Sequence, residues 1–368
     1  MDFTLSAEQL AVRETARAVA ESFGGAVGAS GPASAPPEAD AARARLWREL
    51  ARADLLSYCL PEKFGGSAGD LLGLCVLLEE LGHGIAAAPV LETAVAAMAV
   101  DRFGSPRARE RWLPAAGDGS AVLTIAPARG TLTAVPGDGG WLVTGTAPFV
   151  TYPDAARLLA TADAGHRQLA VLVDPAAPGV RRISYTTTSG LPEAELRFDN
   201  VEVSEDDVLA GGAGGDVAGG AGQWVWDRAV VGTCALLAGI ASGALARTAR
   251  YTSQREQFGR VIATFQAVAL HAGDAFIDTE AMRLTTWQAA WRLSAGRPAD
   301  REISVAKFWA SEGASRVTAT AQHLHGGMGV VTDYPLHRYL LWAKQLELSL
   351  GSASWHLSRL AAQLEAPR

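Results

Sequence analysis

From Ser6 to about Ala116 the apolar positions recur at helical spacing. Leu10, Thr15 and Val19 form one run, Leu46, Leu50 and Leu55 a second, and Leu71 to Leu81 a third. This stretch reads as all-helical. Its breaks are GASGPASAPP (28–37) and PEKFGGSAGD (61–70), where Pro fixes φ and Gly permits the reversed backbone a turn needs, so both are expected to be loops. Between Ala121 and Val208 the period falls to two in short runs such as TLTAV, WLVTG, LAVLVD and AELRFDNVEV, which predicts strands. The stretch AGGAGGDVAGGAG (210–222) has almost no side chain able to pack and reads as a flexible connection. Four or five long helical runs follow from Trp224 to Leu364, broken at AGRPAD (295–300) and HGGMGVVTDYP (325–335). The order is helices, strands, helices: an α+β multidomain chain divided at 1–117, 118–212 and 213–368.

Composition narrows the class. The 368 residues are 49% hydrophobic and 19% charged, enough for two or three packed units at ~150 residues each. Lys and Arg number 32 against 39 Asp and Glu, and no basic stretch could neutralise a row of phosphates, so nucleic acid is not an expected partner. Cys59, Cys75 and Cys234 are odd in number and lack paired spacing, which fits a reducing cytoplasm. The first residues carry early acids and no apolar run of secretory type. Ala229 to Ala246 is uncharged and near the ~18-residue lower bound for a bilayer span, but Ala, Gly, Ser and Thr fill much of it, so it reads as a buried helix and not a membrane span. Gly232, Gly239 and Gly243 share one helical face there and should admit a close neighbour, as at the centre of a bundle.

Candidate chemistry is sparse. The glycines of HGGMG (325–329) expose backbone N–H groups to a phosphate or a neighbouring chain, and otherwise read as an interhelical turn. Arg255 offers a fork of donors suited to a pyrophosphate, where a solvated helical Arg is the plain alternative. The seven histidines show no metal-ligand spacing, and His323 and His325 read as loop or interface residues. Seven of the ten tryptophans fall after the Gly-rich connection, chiefly as helix-core packing.

Several strings together carry a resemblance that spans essentially the whole chain. LPEKFGG (60–66), LLEELGHGIAAAP (77–89), FDNVEVSEDDVL (198–209), YTSQREQFGRVIATFQAV (251–268) and QHLHGGMGVVTDYPLHRY (322–339) are similar to motifs of the acyl-CoA dehydrogenase family. The resemblance implies an N-terminal helical domain, a central β-barrel-like domain and a C-terminal four-helix bundle. It implies FAD as cofactor, with the adenosine diphosphate half held by Arg255, Phe258, Gln266, Gln322, Gly326 and Gly327, largely across a subunit interface. It places Phe149 against the flavin and the Thr151 hydroxyl on its reactive ring nitrogen. Implied partners are an acyl-CoA or acyl-carrier-protein thioester and an electron-accepting flavoprotein.

Two departures qualify this. The family's Thr-Glu-Pro and Gly-Ser-Asp, which help wall the flavin, are missing where this chain reads LTIAPARGTL (123–132). The Glu that takes the α-proton in many members falls, counted from Tyr334 and Arg338, on Leu350, which cannot accept a proton. Glu347 lies most of a helical turn away and reads as a solvated face. A minority of the family carries its base on the first long helix of the C-terminal domain, just before an Arg; here that place is Asp227, the candidate catalytic residue, with a helix-dipole role in a first turn as its alternative. The ending LLWAKQLELSLGSASWHLSRL (340–360) resembles an actinobacterial type in which a Glu-less chain pairs with a Glu-bearing homologue, with fewer flavins than subunits. The expected role is therefore one subunit of a heteromeric FAD-dependent acyl thioester dehydrogenase. Alternatives are a non-catalytic subunit that completes a partner's FAD site, or the same fold turned to other flavin chemistry.

Overall fold

The computed structural model describes residues 3–23, 36–126, 131–165, 168–209 and 220–365. Most of the expected loop at 28–37 and of the connection at 210–222 lies outside them, as does part of the 123–132 string. Five helices come first: α1 (Ala7–Phe23), α2 (Pro36–Arg52), α3 (Leu71–His83), α4 (Val90–Phe103) and α5 (Pro106–Gly117). Asp70 caps α3 by accepting from Gly73 N at 2.8 Å. Helix α3 is buried almost all round, as its uninterrupted apolar run requires. In the preceding turn Gly65 takes φ 82°, a left-handed conformation open to glycine.

The middle of the chain forms an eight-stranded mixed sheet. Its strands are β1 (Leu123–Ile125), β2 (Thr133–Gly137), β3 (Gly140–Thr151), β4 (Arg157–Asp163), β5 (Gln168–Val173), β6 (Val180–Tyr185), β7 (Glu193–Ser204) and β8 (Val208–Leu209). They run in the order β6-β7-β3-β2-β4-β5-β8, with β1 beside β4. A register shift between Ala147 and Val150 on β3 breaks its pairing with β7. There Phe149 takes φ 56°, and just beyond the strand Tyr152 takes φ 51°, both uncommon for bulky residues.

Helices resume with α6 (Gly220–Gln254), a two-stranded hairpin of β9 (Glu256–Gln257) and β10 (Arg260–Val261), then α7 (Gln266–Ser294), α8 (Asp300–His325), α9 (Leu336–Leu348) and α10 (Ala353–Glu365). Helix α6 is, among the described residues, the helix long and apolar enough to cross a membrane, and 78% of its most apolar window is buried inside the protein. It is a core helix. Its glycines do admit close neighbours, chiefly from the N-terminal unit, with Tyr339 of the bundle's α9 also close to Gly243. A Cβ on Gly239 would stand 2.0 Å from Glu79 O, one on Gly243 2.3 Å from His83 O, and one on Gly232 2.2 Å from Leu91 Cδ1. Helices α3 and α4 can therefore lie against α6 in one continuous core that also takes in Leu159, Ala170 and Leu172 of the sheet. Buried Glu79 on α3 accepts from Arg283 Nε of α7 at 3.0 Å, pinning the same junction.

Candidate functional site

Helices α3, α4 and α6, the sheet and the turn between α9 and α10 enclose a cavity of about 950 Å³. Helix α6 contributes Trp226, Ala229, Thr233 and Leu236, residues that share one face at helical spacing. Trp226, Trp342 and Trp355 are the tryptophans that line it, a distinction the sequence did not carry. Phe149 and Thr151 both reach the cavity from β3.

Leu350 lines the wall in a left-handed turn, φ 60°, followed by Gly351 at φ 99°. Two buried side chains hold that turn. His356 lies with Nε2 2.9 Å from Leu350 O and so donates to it; burial pushes its pKa down to about 4, which keeps the ring neutral. Lys307 is wholly buried, and its Nζ donates to Ser311 Oγ at 2.8 Å, Glu347 O at 3.0 Å and Leu346 O at 3.2 Å. It thereby satisfies carbonyls left open at the end of α9, and burial lowers its pKa to about 8. The expected solvated Glu347 is instead partly buried, its carboxylate 3.2 Å from Lys344 Nζ and its carbonyl an anchor for Lys307.

The sequence reading missed the carboxyl groups in the wall. Glu92 enters from the first turn of α4, and its Oε1 accepts from Thr151 Oγ1 at 2.9 Å. Burial raises its pKa, and the bond from Thr151 and a backbone N–H oppose the rise. Glu193 Oε2 accepts from Gln345 Nε2 at 2.8 Å, and burial raises its pKa too. One signal was present: Glu92 is the lone charge in the run VLETAVAAMAV (90–100).

Asp227 is not among the lining residues. It follows Trp226 and so points about 100° further round α6. Its Oδ1 accepts from Gln223 Nε2 at 2.7 Å. It stands beyond the first turn of α6, where the dipole explanation no longer applies. Burial raises its pKa from 3.8 to about 6, with Asp300 adding to the rise and the Gln223 bond, Arg359 and Arg228 opposing it. Arg228, next in sequence, packs its guanidinium 3.6 Å over the Trp224 ring.

A pH dependence follows from that shift. A carboxyl whose pKa is higher folded than unfolded is neutral in both states below about pH 4, and ionising it between about pH 4 and 6 costs the fold up to roughly 3 kcal/mol. Asp227→Asn should therefore gain stability relative to the parent as pH rises through that window and hold the gain above it. Urea midpoints of both proteins at pH 4, 5, 6 and 7 check this, and parallel curves would refute it.

The other six expected cofactor residues lie away from the cavity, five of them exposed and Gln322 half-buried. Tyr251 near the end of α6 stacks on His325 at 4.3 Å, and His271 of α7 meets His323 at 6.0 Å, so these contacts gather the end of α6, the start of α7 and the end of α8. Arg255 follows one turn after Tyr251 and makes no ion pair among the described residues. Phe258, 91% exposed at φ 54°, tips the β9–β10 hairpin, and Gln266 opens α7. Gln322 is in the last turn of α8, and Gly326 and Gly327 follow it with open space where a Cβ would stand. None of the six lines the cavity. His325, expected in a loop or interface, is instead buried as the last residue of α8, with Nε2 3.0 Å from Tyr334 Oη.

Comparison with known proteins agrees in two domains and over whole chains. Residues 6–120 match the acyl-CoA dehydrogenase N-terminal domain, and residues 224–365 match its C-terminal domain. Acyl-CoA dehydrogenase FadE27 of Mycobacterium tuberculosis is 37% identical over 333 residues, 87% of each chain. A chain of the ChsE4-ChsE5 complex from Mycobacterium tuberculosis is 34% identical, superposes with a TM-score of 0.89 and covers 100% of both chains. A chain of a Tcur3481-Tcur3483 steroid ACAD variant is 38% identical with a TM-score of 0.87 over 98% of both.

Proposed function

The chain belongs to the acyl-CoA dehydrogenase family, and on that premise we propose that it is one subunit of a heteromeric FAD-dependent acyl-CoA dehydrogenase, serving a flavin site completed by a homologous, base-bearing partner. The observation that carries this reading is the separation of its functional residues. The group of Arg255, Gln322, Gly326 and Gly327 suits a diphosphate brought by a neighbouring chain: a free guanidinium, and backbone with open space above it. In its own cavity Leu350 stands where the family's proton acceptor is expected.

FAD supplies the hydride acceptor when bound. Toward it, Arg255, Phe258, Gln266, Gln322, Gly326 and Gly327 would hold the adenosine diphosphate half. The buried clamp of Lys307, Ser311 and His356 keeps the Leu350 turn in place, so this chain's cavity wall stays apolar where the partner's carries a carboxylate. Exposed Leu270, Phe276, Ile277 and Leu284 on α7 offer an apolar surface to that partner. The likeness to a steroid ACAD and the size of the cavity support a bulky ring-bearing acyl group on CoA. A separate flavoprotein would take the electrons, all in the cytoplasm.

Co-expression with a Glu-bearing homologue, followed by light scattering and flavin quantification, tests the reading. A hetero-oligomer with fewer than one FAD per chain is expected. A stable homotetramer with one FAD per chain and full activity alone would defeat it.

A further inference from the structure

We propose that Glu92 bars an isoalloxazine ring from this chain's own cavity by claiming the Thr151 hydroxyl, so that the cavity is not a flavin site. The inference rests on the heteromeric reading and names the residue that enforces it.

A threonine hydroxyl has one proton. The 2.9 Å bond from Thr151 Oγ1 to Glu92 Oε1 commits that proton to the carboxylate, so the oxygen presents only lone pairs to the cavity. An oxidised flavin presents lone pairs at its ring nitrogen N5 and its neighbouring carbonyl, and these need a donor. Acceptor would face acceptor. The Glu92 carboxyl itself lines the same space without a cationic partner, since none of the fourteen ion pairs among the described residues includes it. An electron-rich ring laid beside it would cover an unpaired carboxylate, which is unfavourable unless a donor replaces the lost water. A helix-dipole role for Glu92 in the first turn of α4 explains why the acid is tolerated there. That role does not require its side chain to reach Thr151, and it leaves the consequence for the cavity unchanged.

The rest of the wall agrees. At 125–126 the chain offers Ile and Ala where the family's Thr-Glu would supply polar contacts, and Phe149 leans on Tyr185 with ring centroids 5.7 Å apart. The residues around Thr151 thus do not fit the ring, whereas those around Arg255 and Gly326 fit the diphosphate.

The test uses the purified complex with its partner, saturated with FAD and then desalted, and counts flavin per chain after acid release. Lumiflavin, the ring without its phosphates, is titrated separately by fluorescence quenching. The parent complex should hold about one FAD per two chains, and lumiflavin should bind no second class of site. Glu92→Ala, which removes the acceptor and frees the Thr151 hydroxyl, should add a second class of lumiflavin site, tighter than any residual parent binding by at least about tenfold. Thr151→Val in the Glu92→Ala background should remove it again. A parent carrying one FAD per chain, or a Glu92→Ala variant that binds lumiflavin no better than the parent, would overturn the proposal. Failure of the heteromeric reading looks different: the chain alone would then be a flavin-loaded, active homo-oligomer.

Discussion

Purified without a homologous partner and assayed with a saturated acyl-CoA and an artificial electron acceptor, the chain is expected to turn over about 10²–10⁴-fold more slowly than the complex. That range is what a positioned general base contributes. The cavity offers no such group at the expected place. Leu350 is apolar and fixed by His356 and, through the end of α9, by Lys307. Of the carboxyls in the wall, Glu92 is engaged with Thr151 and Glu193 with Gln345. Asp227 lies outside the wall, so Asp227→Asn in the complex should leave kcat and flavin reduction within about twofold. Slowing by 10²-fold or more in that variant would return the base to Asp227, and full turnover by the isolated chain would place the chemistry here.

Arg255→Ala should weaken FAD binding by the complex roughly ten- to hundredfold, which corresponds to a charge-assisted contact of about 1.5–3 kcal/mol. Arg255 is exposed and makes no ion pair among the described residues, so its removal breaks no contact that the fold depends on. The measurement is flavin retained on dilution, with a thermal midpoint within about 2 °C of the parent as the control for folding. Equal retention in variant and parent would detach Arg255 from the cofactor.

Periodicity was a sound guide wherever one face of an element met one environment. The helical runs, the strand region and the breaks at 295–300 and 325–335 could be read because burial imposes a period of 3.6 or 2 on the sequence. The small residues of α6 announced a close helix contact, yet only packing showed that α3 and α4 make it. The position of the residues from Arg255 to Gly327 could be anticipated for a related reason: they lie in short contiguous strings at helix ends, where local sequence and local geometry coincide, while their part in holding a cofactor rests on the resemblance.

The cavity was not legible in that way, because its chemistry is assembled across distance. Glu92 and Thr151 are 59 residues apart, Lys307 and the carbonyl of Glu347 are 40 apart, and Glu193 and Gln345 are 152 apart. No period or spacing encodes such pairs. By itself the sequence determined the order of elements and the family, and it put a leucine, Leu350, where the resemblance expects an acid. Tertiary structure decided which carboxyls line the cavity, that Asp227 is not among them, and that Thr151 is already engaged, because a side chain's role depends on the atoms packed against it and not on its neighbours in the chain.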